Sequence, residues 1–342
     1  MNAATKFLYH KTIDRKTRWY PMLSVYYLNY ACSFRCPYCS DGAGRPYYAL
    51  PRDILPGPEV VRLLGRIRRH CDHVVITGGE PLEHPDVTAV LEALPSLRFE
   101  EVIFTTNGFG LAPYLPAIAR GVTTLVVSLD TLDHAKADAW FGVGDGTLAS
   151  ILGDVERARA LPARRYGISI SSVVTPDNIE DLYGVYEYAA ERDFEFAACP
   201  ELQGVFANSA LHGHLEYIRL FDFLIAEKKR GRRVFGTVKY LERMRDLVKY
   251  RCRPFTMLVV SPTGEVFYPC LELGHYAGNL FDTNDLHGLR REGERRFGPQ
   301  PDCGTQCHSA CALGFATALE SSATVIQEAY LQSKSWFRRK RR

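Results

Sequence analysis

Short apolar segments alternate with helical segments over the first 200 residues of the chain. The apolar, β-branched segments occupy residues 23–30, 72–77, 101–108, 124–130, 166–174 and 194–200. Between them, apolar residues recur at helical spacing over 59–70, 87–94, 114–120, 148–161 and 179–191. Strands that alternate with helices predict parallel βαβ units with right-handed crossovers. An α/β fold is therefore expected.

The pattern changes after residue 201. Helical spacing predicts two further helices, at 215–229 and 238–248, and residues 256–268 read as a β-hairpin that turns at Pro262-Thr263-Gly264. We therefore expect five parts: an N-terminal arm or lead-in strand (1–22), a main α/β domain (23–214), a helical connection (215–251), a cysteine-bearing extension (252–320), and an amphipathic helix with a basic tail (321–342).

Composition narrows the functional classes. The chain has 342 residues, of which 46% are hydrophobic, so a large core is available. It shows no apolar run of 18 residues and no signal-peptide core near the N-terminus. Ten cysteines in such a chain indicate a reducing, cytoplasmic location in which thiols bind metal rather than pair.

Charge is concentrated in the tail. The net charge is +3, but the last nine residues contain six basic residues. Without these six charges the rest of the chain has a net charge of 3 − 6 = −3 and is mildly acidic. Nucleic-acid binding is therefore not indicated. The helical pattern over 323–337, followed by the basic end, could lie on an anionic membrane surface. A solvated basic tail is the competing interpretation.

Three closely spaced cysteines follow the first apolar segment. Cys32, Cys36 and Cys39 have the spacing CxxxCxxC. Thiolates are soft ligands that suit iron–sulfur clusters and zinc. Structural zinc sites normally have four protein ligands, so three cysteines leave one metal position open to a substrate or cofactor. A zinc knuckle is the alternative.

This motif, with an aromatic residue before its last cysteine, resembles the radical S-adenosylmethionine (radical SAM) superfamily. The resemblance implies a partial (β/α)6 TIM-type barrel and a 4Fe–4S cluster on Cys32, Cys36 and Cys39. The open iron would chelate S-adenosylmethionine (SAM), and one electron would release a 5′-deoxyadenosyl radical. In parallel barrels, ligands gather at the carboxyl ends of the strands, where the motifs lie.

The resemblance also implies SAM contacts. The segment Gly78-Gly79-Glu80-Pro81 would touch the methionine amino group, and two adjacent glycines allow close backbone approach. The backbone beside Tyr38 would receive the adenine. The other residues at positions where relatives contact cofactor or substrate are Asn107, Ser128, Asp130, Ser169 and Ser171. Each serine has an alternative interpretation as a residue that satisfies backbone groups at a strand end.

A second set of cysteines resembles the SPASM and twitch extensions, which hold auxiliary 4Fe–4S clusters. The set contains Cys252, Cys270, Cys303, Cys307 and Cys311. Full SPASM extensions carry seven cysteines, and the interval from Gly264 to Cys270 is one residue longer than usual. We therefore expect one auxiliary cluster held by four of the five, with the choice between Cys307 and Cys311 open. If Cys307 and Cys311 lie on a helix, their spacing of four would place both on one face, so both could point at one cluster. A structural zinc site is the alternative to an auxiliary cluster.

Two cysteines remain. Cys71 begins a strand and is expected to be a buried thiol. Cys199 ends the sixth strand, where it could donate a hydrogen atom to a substrate radical or simply pack.

We expect an enzyme that abstracts hydrogen from a small molecule such as a sugar, cyclitol or lipid, with an electron donor such as flavodoxin or ferredoxin. A peptide maturase and a zinc-binding structural protein are the alternatives.

Overall fold

A computed structural model of the chain describes residues 3–12, 18–40, 44–162, 164–299 and 307–321. The chain divides into two compact units. The first comprises Met1–Ser128, His134–Ile168 and Pro254–Pro301, and the second comprises Leu129–Asp133, Ser169–Arg253 and Asp302–Arg342.

Strands and helices alternate along the described chain. The strands are β1 (Leu23–Tyr27), β2 (His73–Thr77), β3 (Glu101–Thr106), β4 (Thr124–Ser128), β5 (Gly167–Val174), β6 (Glu195–Pro200), β7 (Leu202–Gln203), β8 (Phe206–Ala207), β9 (Met257–Val260), β10 (Glu265–Tyr268) and β11 (His275–Asn279). The helices are α1 (Ala3–Thr12), α2 (Gly57–Arg68), α3 (Val87–Leu97), α4 (Leu115–Gly121), α5 (His134–Phe141), α6 (Thr147–Ala160), α7 (Asp181–Glu191), α8 (Leu215–Lys229), α9 (Val238–Asp246), α10 (Leu286–Phe297) and α11 (Ala310–Glu320).

The first unit contains a mostly parallel sheet with the strand order β11-β10-β9-β1-β2-β3-β4. β1 pairs in parallel with β2 on one side and with β9 on the other, so Val25 lies opposite both Val75 and Val259. β10 runs antiparallel to β9 and β11. Because β1, β2 and β3 are parallel, the loops that follow them leave the same edge of the sheet.

Apolar side chains on both strand faces and on the helices build this unit. Tyr26 and Leu28 are fully buried, and α2 buries the stripe Val60, Leu63, Leu64 and Ile67 at helical spacing. This stripe is the one that the sequence pattern predicts. A helix covers the sheet wherever the chain crosses from one parallel strand to the next.

The second unit has a smaller parallel element and a helical part. β5 and β6 pair in parallel from Ser169 opposite Glu195 to Val174 opposite Pro200. The helices α8 and α9 pack together, and the buried hydroxyl of Tyr217 on α8 donates to the carbonyl of Met244 on α9 over 2.7 Å.

The α/β fold class and the alternation of strands and helices are confirmed. The lead-in strand is wrong, because residues 3–12 form α1. This helix has little apolar periodicity. It is held instead by polar contacts, in which Lys6 donates to the carbonyl of His70 over 2.6 Å and the Nε2 atom of His10 lies 2.8 Å from the carbonyl oxygen of Tyr20.

Six further elements were not predicted from the sequence: α5, β7, β8, β11, α10 and α11. The expectation that Cys307 and Cys311 share a helical face is also wrong. α11 begins at Ala310, so only Cys311 lies on it. The predicted amphipathic helix of the tail lies outside the described residues. No helix in the described part of the chain has both the length and the apolarity to cross a membrane.

Candidate active site

The loop that carries Cys32, Cys36 and Cys39 is folded around one arginine. The Nη1 atom of Arg35 lies 2.8 Å from the carbonyl oxygen of Cys32 and 2.9 Å from those of Ser33 and Phe34. All three carbonyls therefore surround one nitrogen atom and share its two N–H groups. The Arg35 interaction was not predicted from the sequence.

Three further contacts tie this cysteine loop to its surroundings. The backbone nitrogen of Ser33 donates to the carboxylate of Glu83 over 2.6 Å, and that of Arg35 donates to the carbonyl of Phe141 over 2.9 Å. The ring of Phe34 stacks on that of Phe141, with 4.5 Å between centroids. The loop is therefore anchored to the turn after β2 and to the end of α5.

Tyr38 lies at the far end of the loop. Its ring meets the ring of Trp140 edge to face, with 5.6 Å between centroids. Trp140 was not singled out in the sequence, because α5 shows weak apolar periodicity and gave no signal of its own. The predicted adenine contact beside Tyr38 stays a prediction.

The two glycines after β2 lie against the chain's own backbone. A Cβ atom on Gly78 would fall 2.4 Å from the carbonyl oxygen of Asn29, and one on Gly79 would fall 2.3 Å from that of Ala31. The backbone nitrogen of Gly79 donates to Asn29, and that of Glu80 donates to Ala31. Only glycine permits this approach, which joins the turn to the residues just before Cys32.

The buried carboxylate of Glu80 joins two turns. Its Oε1 atom accepts from the backbone nitrogen of Leu82 over 2.9 Å and from the hydroxyl of Thr106 over 2.7 Å, and its Oε2 atom accepts from the backbone nitrogen of Asn107 over 2.6 Å. Burial raises the pKa of Glu80 to about 7, although the three hydrogen bonds oppose that shift. Asn107 in turn accepts from the nitrogen of Phe109 over 2.9 Å.

The three thiols of the loop suit a soft metal cluster. Cys32 and Cys36 are partly buried, Cys39 is exposed, and all three are free of disulfides. Burial, and secondarily the negative charges of Glu80 and Glu83, raise the pKa of Cys32 to about 12. A thiolate at Cys32 therefore requires a neighbouring positive centre, which a bound iron supplies. The donor set fits a 4Fe–4S cluster.

Among the residues that the structure describes, no three His, Cys, Asp or Glu side chains are grouped around a position for one metal ion. A cluster differs from such a site, because each of its thiolates binds a separate iron atom.

The second unit carries three of the predicted SAM contacts. Asp130 is buried, and its Oδ1 atom accepts from the backbone nitrogen of Val173 over 2.6 Å. Ser169 is buried and Ser171 is partly buried, and their spacing of two places both on one face of β5. Ser128 belongs to the first unit, where it is the last residue of β4 and partly buried.

Cys199 is the penultimate residue of β6 in the second unit and is partly buried. Burial, and then the charges of Asp130 and Cys311, raise the pKa of Cys199 to about 12. The thiol therefore stays protonated at neutral pH. Tyr240 lies within electrostatic range of both Cys199 and Cys311, and burial keeps its pKa well above the usual range. The proximity of Asp130, Tyr240 and Cys311 to Cys199 was not predicted from the sequence.

The second cysteine set is divided between the two units. Cys252, Cys307 and Cys311 belong to the second unit, and Cys270 follows β10 in the first. Cys303 lies outside the described residues. Cys252, Cys270 and Cys311 are partly buried and Cys307 is buried. The auxiliary cluster stays a prediction from the spacing. The expectation that Cys71 is a buried thiol is confirmed, since its exposed fraction is 2%.

The Radical SAM superfamily model matches residues 26–189, a segment that contains the cysteine loop, the glycine turn and Glu80. The chain contains a radical SAM domain. A domain of this superfamily implies a 4Fe–4S cluster and SAM.

Curated relatives support the same assignment over part of their length. A GTP 3′,8-cyclase of Pseudomonas fluorescens is 32% identical over 177 residues, which are 50% of this chain and 51% of the relative. The molybdenum cofactor biosynthesis protein moc-5 of Caenorhabditis elegans is 38% identical over 109 residues, 31% of this chain and 18% of that protein. The matches thus span about half of these curated relatives or less.

Solved structures show the same fold. SuiB of Streptococcus suis, bound to S-adenosylmethionine, superimposes with a TM-score of 0.61 and 19% identity over 78% of this chain and 65% of that chain. The structure of histidine-tagged anSMEcpe with bound AdoMet gives a TM-score of 0.55 and 17% identity over 90% of this chain and 98% of that chain.

Proposed function

We propose that the chain is a radical SAM enzyme that abstracts a hydrogen atom from an unactivated C–H bond of a small-molecule substrate in cofactor or natural-product biosynthesis. The observation that carries this proposal is the cysteine loop, whose backbone is held by Arg35 and Glu83 and preceded by residues packed on the glycine turn, inside the segment that matches the superfamily. Cofactor biosynthesis is favoured by the curated relatives named as molybdenum cofactor biosynthesis proteins.

Cys32, Cys36 and Cys39 would hold the 4Fe–4S cluster. When bound, the cluster supplies the electron that cleaves SAM to methionine and a 5′-deoxyadenosyl radical. The turn Gly78-Gly79-Glu80 would orient the methionine end of SAM through its backbone. Tyr38, with Trp140 against its ring, would cover the adenine.

The remaining predicted contacts would act on the rest of SAM or on the substrate. Asn107 follows β3 and Ser128 ends the neighbouring strand β4 in the first unit. Asp130, Ser169 and Ser171 belong to the second unit, where Asp130 would accept from a ribose hydroxyl. Cys199 would return a hydrogen atom to the substrate radical. Walls that exclude water and reductant protect such a radical.

The test is SAM cleavage by anaerobically reconstituted protein under dithionite. Wild-type protein is expected to bind iron and sulfide and to form 5′-deoxyadenosine, and Cys36→Ala is expected to lose that product. Cys71→Ala is the matched control, because it removes a buried thiol that lies outside the predicted ligand set. Zinc without iron in the wild-type protein, or full cleavage by Cys36→Ala, would contradict the proposal.

The substrate class has its own test. Each candidate is supplied with deuterium at its carbon positions, and transfer of the label into 5′-deoxyadenosine marks the carbon that is attacked. GTP is one candidate, since the curated relatives are named for it. Transfer from a peptide in place of any small molecule would favour the alternative of a peptide maturase.

A further inference from the structure

A cavity of about 410 Å³ lies in the first unit, on the side of β1 that faces β9. Its lining includes Tyr30, Tyr47 and Tyr276, together with the turn between β9 and β10. Its volume lies in the range of small-molecule sites, which is roughly 300 to 1,000 Å³. Its described lining contains none of the residues predicted to bind SAM.

Aromatic rings form much of the wall. The centroid of Tyr30 is 6.1 Å from that of Tyr47, and the centroid of Phe267 is 4.7 Å from that of Tyr276. Burial and a hydrogen bond with Tyr276 hold the pKa of Tyr30 well above its usual value, so this phenol stays neutral. Neutral aromatic rings present electron-rich faces, which attract cations.

The charged groups of the wall favour the same kind of ligand. Two carboxylates, Asp53 and Glu265, line the cavity together with one guanidinium, that of Arg45. The Oε2 atom of Glu265 accepts hydrogen bonds from the hydroxyls of Ser261 and Thr263, which fix the orientation of the carboxylate. A carboxylate has roughly four acceptor positions, so two fixed donors leave room for a ligand donor.

We propose that this cavity binds an organic ammonium group, with the amine against the ring faces and its N–H groups donating to Glu265. The amine belongs either to an amino-substituted small molecule or to a lysine side chain of a peptide, because both present the same cation. As a substrate-recognition site the cavity rests on the proposed function, whereas the binding of the ammonium group does not depend on it.

The test is calorimetric titration of the full, reconstituted chain with two matched pairs of probes. The first pair is glucosamine and glucose. The second is a Gly-Lys-Gly peptide with blocked ends and the same peptide with an acetylated lysine. The charged member of at least one pair is expected to bind about tenfold more tightly than its neutral partner. The preferred pair identifies the source of the amine.

Glu265→Gln is expected to remove most of that tenfold preference, because it keeps the size of the side chain and removes its charge. The matched control is Glu92→Gln, whose side chain is 54% exposed in an ion pair with Arg120 and should leave the preference unchanged. If circular dichroism shows that Glu265→Gln is unfolded, Tyr276→Leu replaces it and is expected to weaken amine binding, whereas Tyr276→Phe retains the ring and much of the preference.

Equal affinity for the charged and neutral members of both pairs would overturn the site. A preference that Glu265→Gln, or Tyr276→Leu in its place, leaves intact would overturn it as well. The two proposals fail separately. Amine binding by protein that does not cleave SAM would defeat the proposed function alone, and SAM cleavage without amine preference would defeat the site alone.

Discussion

The carboxylate of Glu80 accepts a hydrogen bond from the backbone nitrogen of Asn107, over 2.6 Å. The two residues follow neighbouring parallel strands, β2 and β3, and both lie in segments that the sequence marks as candidate SAM contacts. A buried side chain thus fixes the spacing between two loops at the carboxyl edge of the sheet. Glu80 has a structural role that is independent of any contact with SAM.

Removing one donor from this carboxylate should destabilise the protein. Thr106→Val keeps the shape of the side chain but removes the hydroxyl that donates to Glu80 over 2.7 Å. The loss should lower the free energy of unfolding by about 2 kcal/mol, because the buried carboxylate loses a donor and the backbone nitrogen of Gly108 loses its acceptor. Urea denaturation of the reconstituted protein measures it. Thr88→Val on the exposed face of α3 is the control and should change stability by less than about 0.5 kcal/mol. Equal stability of the two variants would show that the Thr106 bond contributes nothing.

Glu80 should also make stability depend on pH. Burial raises the pKa of Glu80 from 4.5 to about 7 in the native state, so between these values the native chain keeps a proton that the unfolded chain releases. The free energy of unfolding should therefore fall as pH rises through this window, by up to about 3 kcal/mol from this group. Denaturation at about pH 5 and about pH 7.5 measures the slope, and Glu80→Gln should lack this component. Identical slopes in both proteins would refute the assignment.

The sequence predicts those parts of the site that depend on short-range patterns. The CxxxCxxC spacing, the paired glycines and the apolar strands all act through neighbours in the chain. The sequence could not predict the direction of the Glu80 side chain, because its partners Thr106 and Asn107 are more than 20 residues away. The same holds for the cavity, where Tyr30 and Glu265 meet only because β9 pairs with β1.

Some helices escape prediction for a related reason. α1 is stabilised by Lys6 and His10, which are polar residues with buried side chains and distant partners. A pattern of apolar positions does not register such contacts, because tertiary packing supplies what local propensity lacks. Arg35 was missed differently. Its partners are adjacent in sequence, but only the folded loop brings three carbonyls to one nitrogen.

Arg35→Lys should loosen the cluster while the fold is maintained. A lysine ammonium is a flexible point charge without the planar guanidinium that lies 4.7 Å from the ring centroid of Tyr48, so its position beside the carbonyls of the loop should be less fixed. Iron should pass from the reconstituted protein to a chelator about tenfold faster, as is typical when groups that orient metal ligands are changed. Arg219→Lys is the control, because Arg219 is 67% exposed and pairs with Glu216 on the same helix. A rate for Arg35→Lys equal to that of the control would mean that Arg35 does not organise the loop.

Gly79→Ala should damage both the fold and the loop. Its new Cβ atom would lie 2.3 Å from the carbonyl oxygen of Ala31 and 2.6 Å from that of Tyr30, and neither backbone group can move without displacing Cys32. The free energy of unfolding should fall by about 2 to 3 kcal/mol, with a reduced iron content after reconstitution. Gly153→Ala in α6 is the matched control, since a Cβ atom there meets nothing within 4 Å. That variant should gain about 0.5 to 1 kcal/mol from lower backbone entropy. Opposite signs for the two substitutions are the expected result, and equal effects on stability and iron content would exclude close backbone packing as the reason for glycine at position 79.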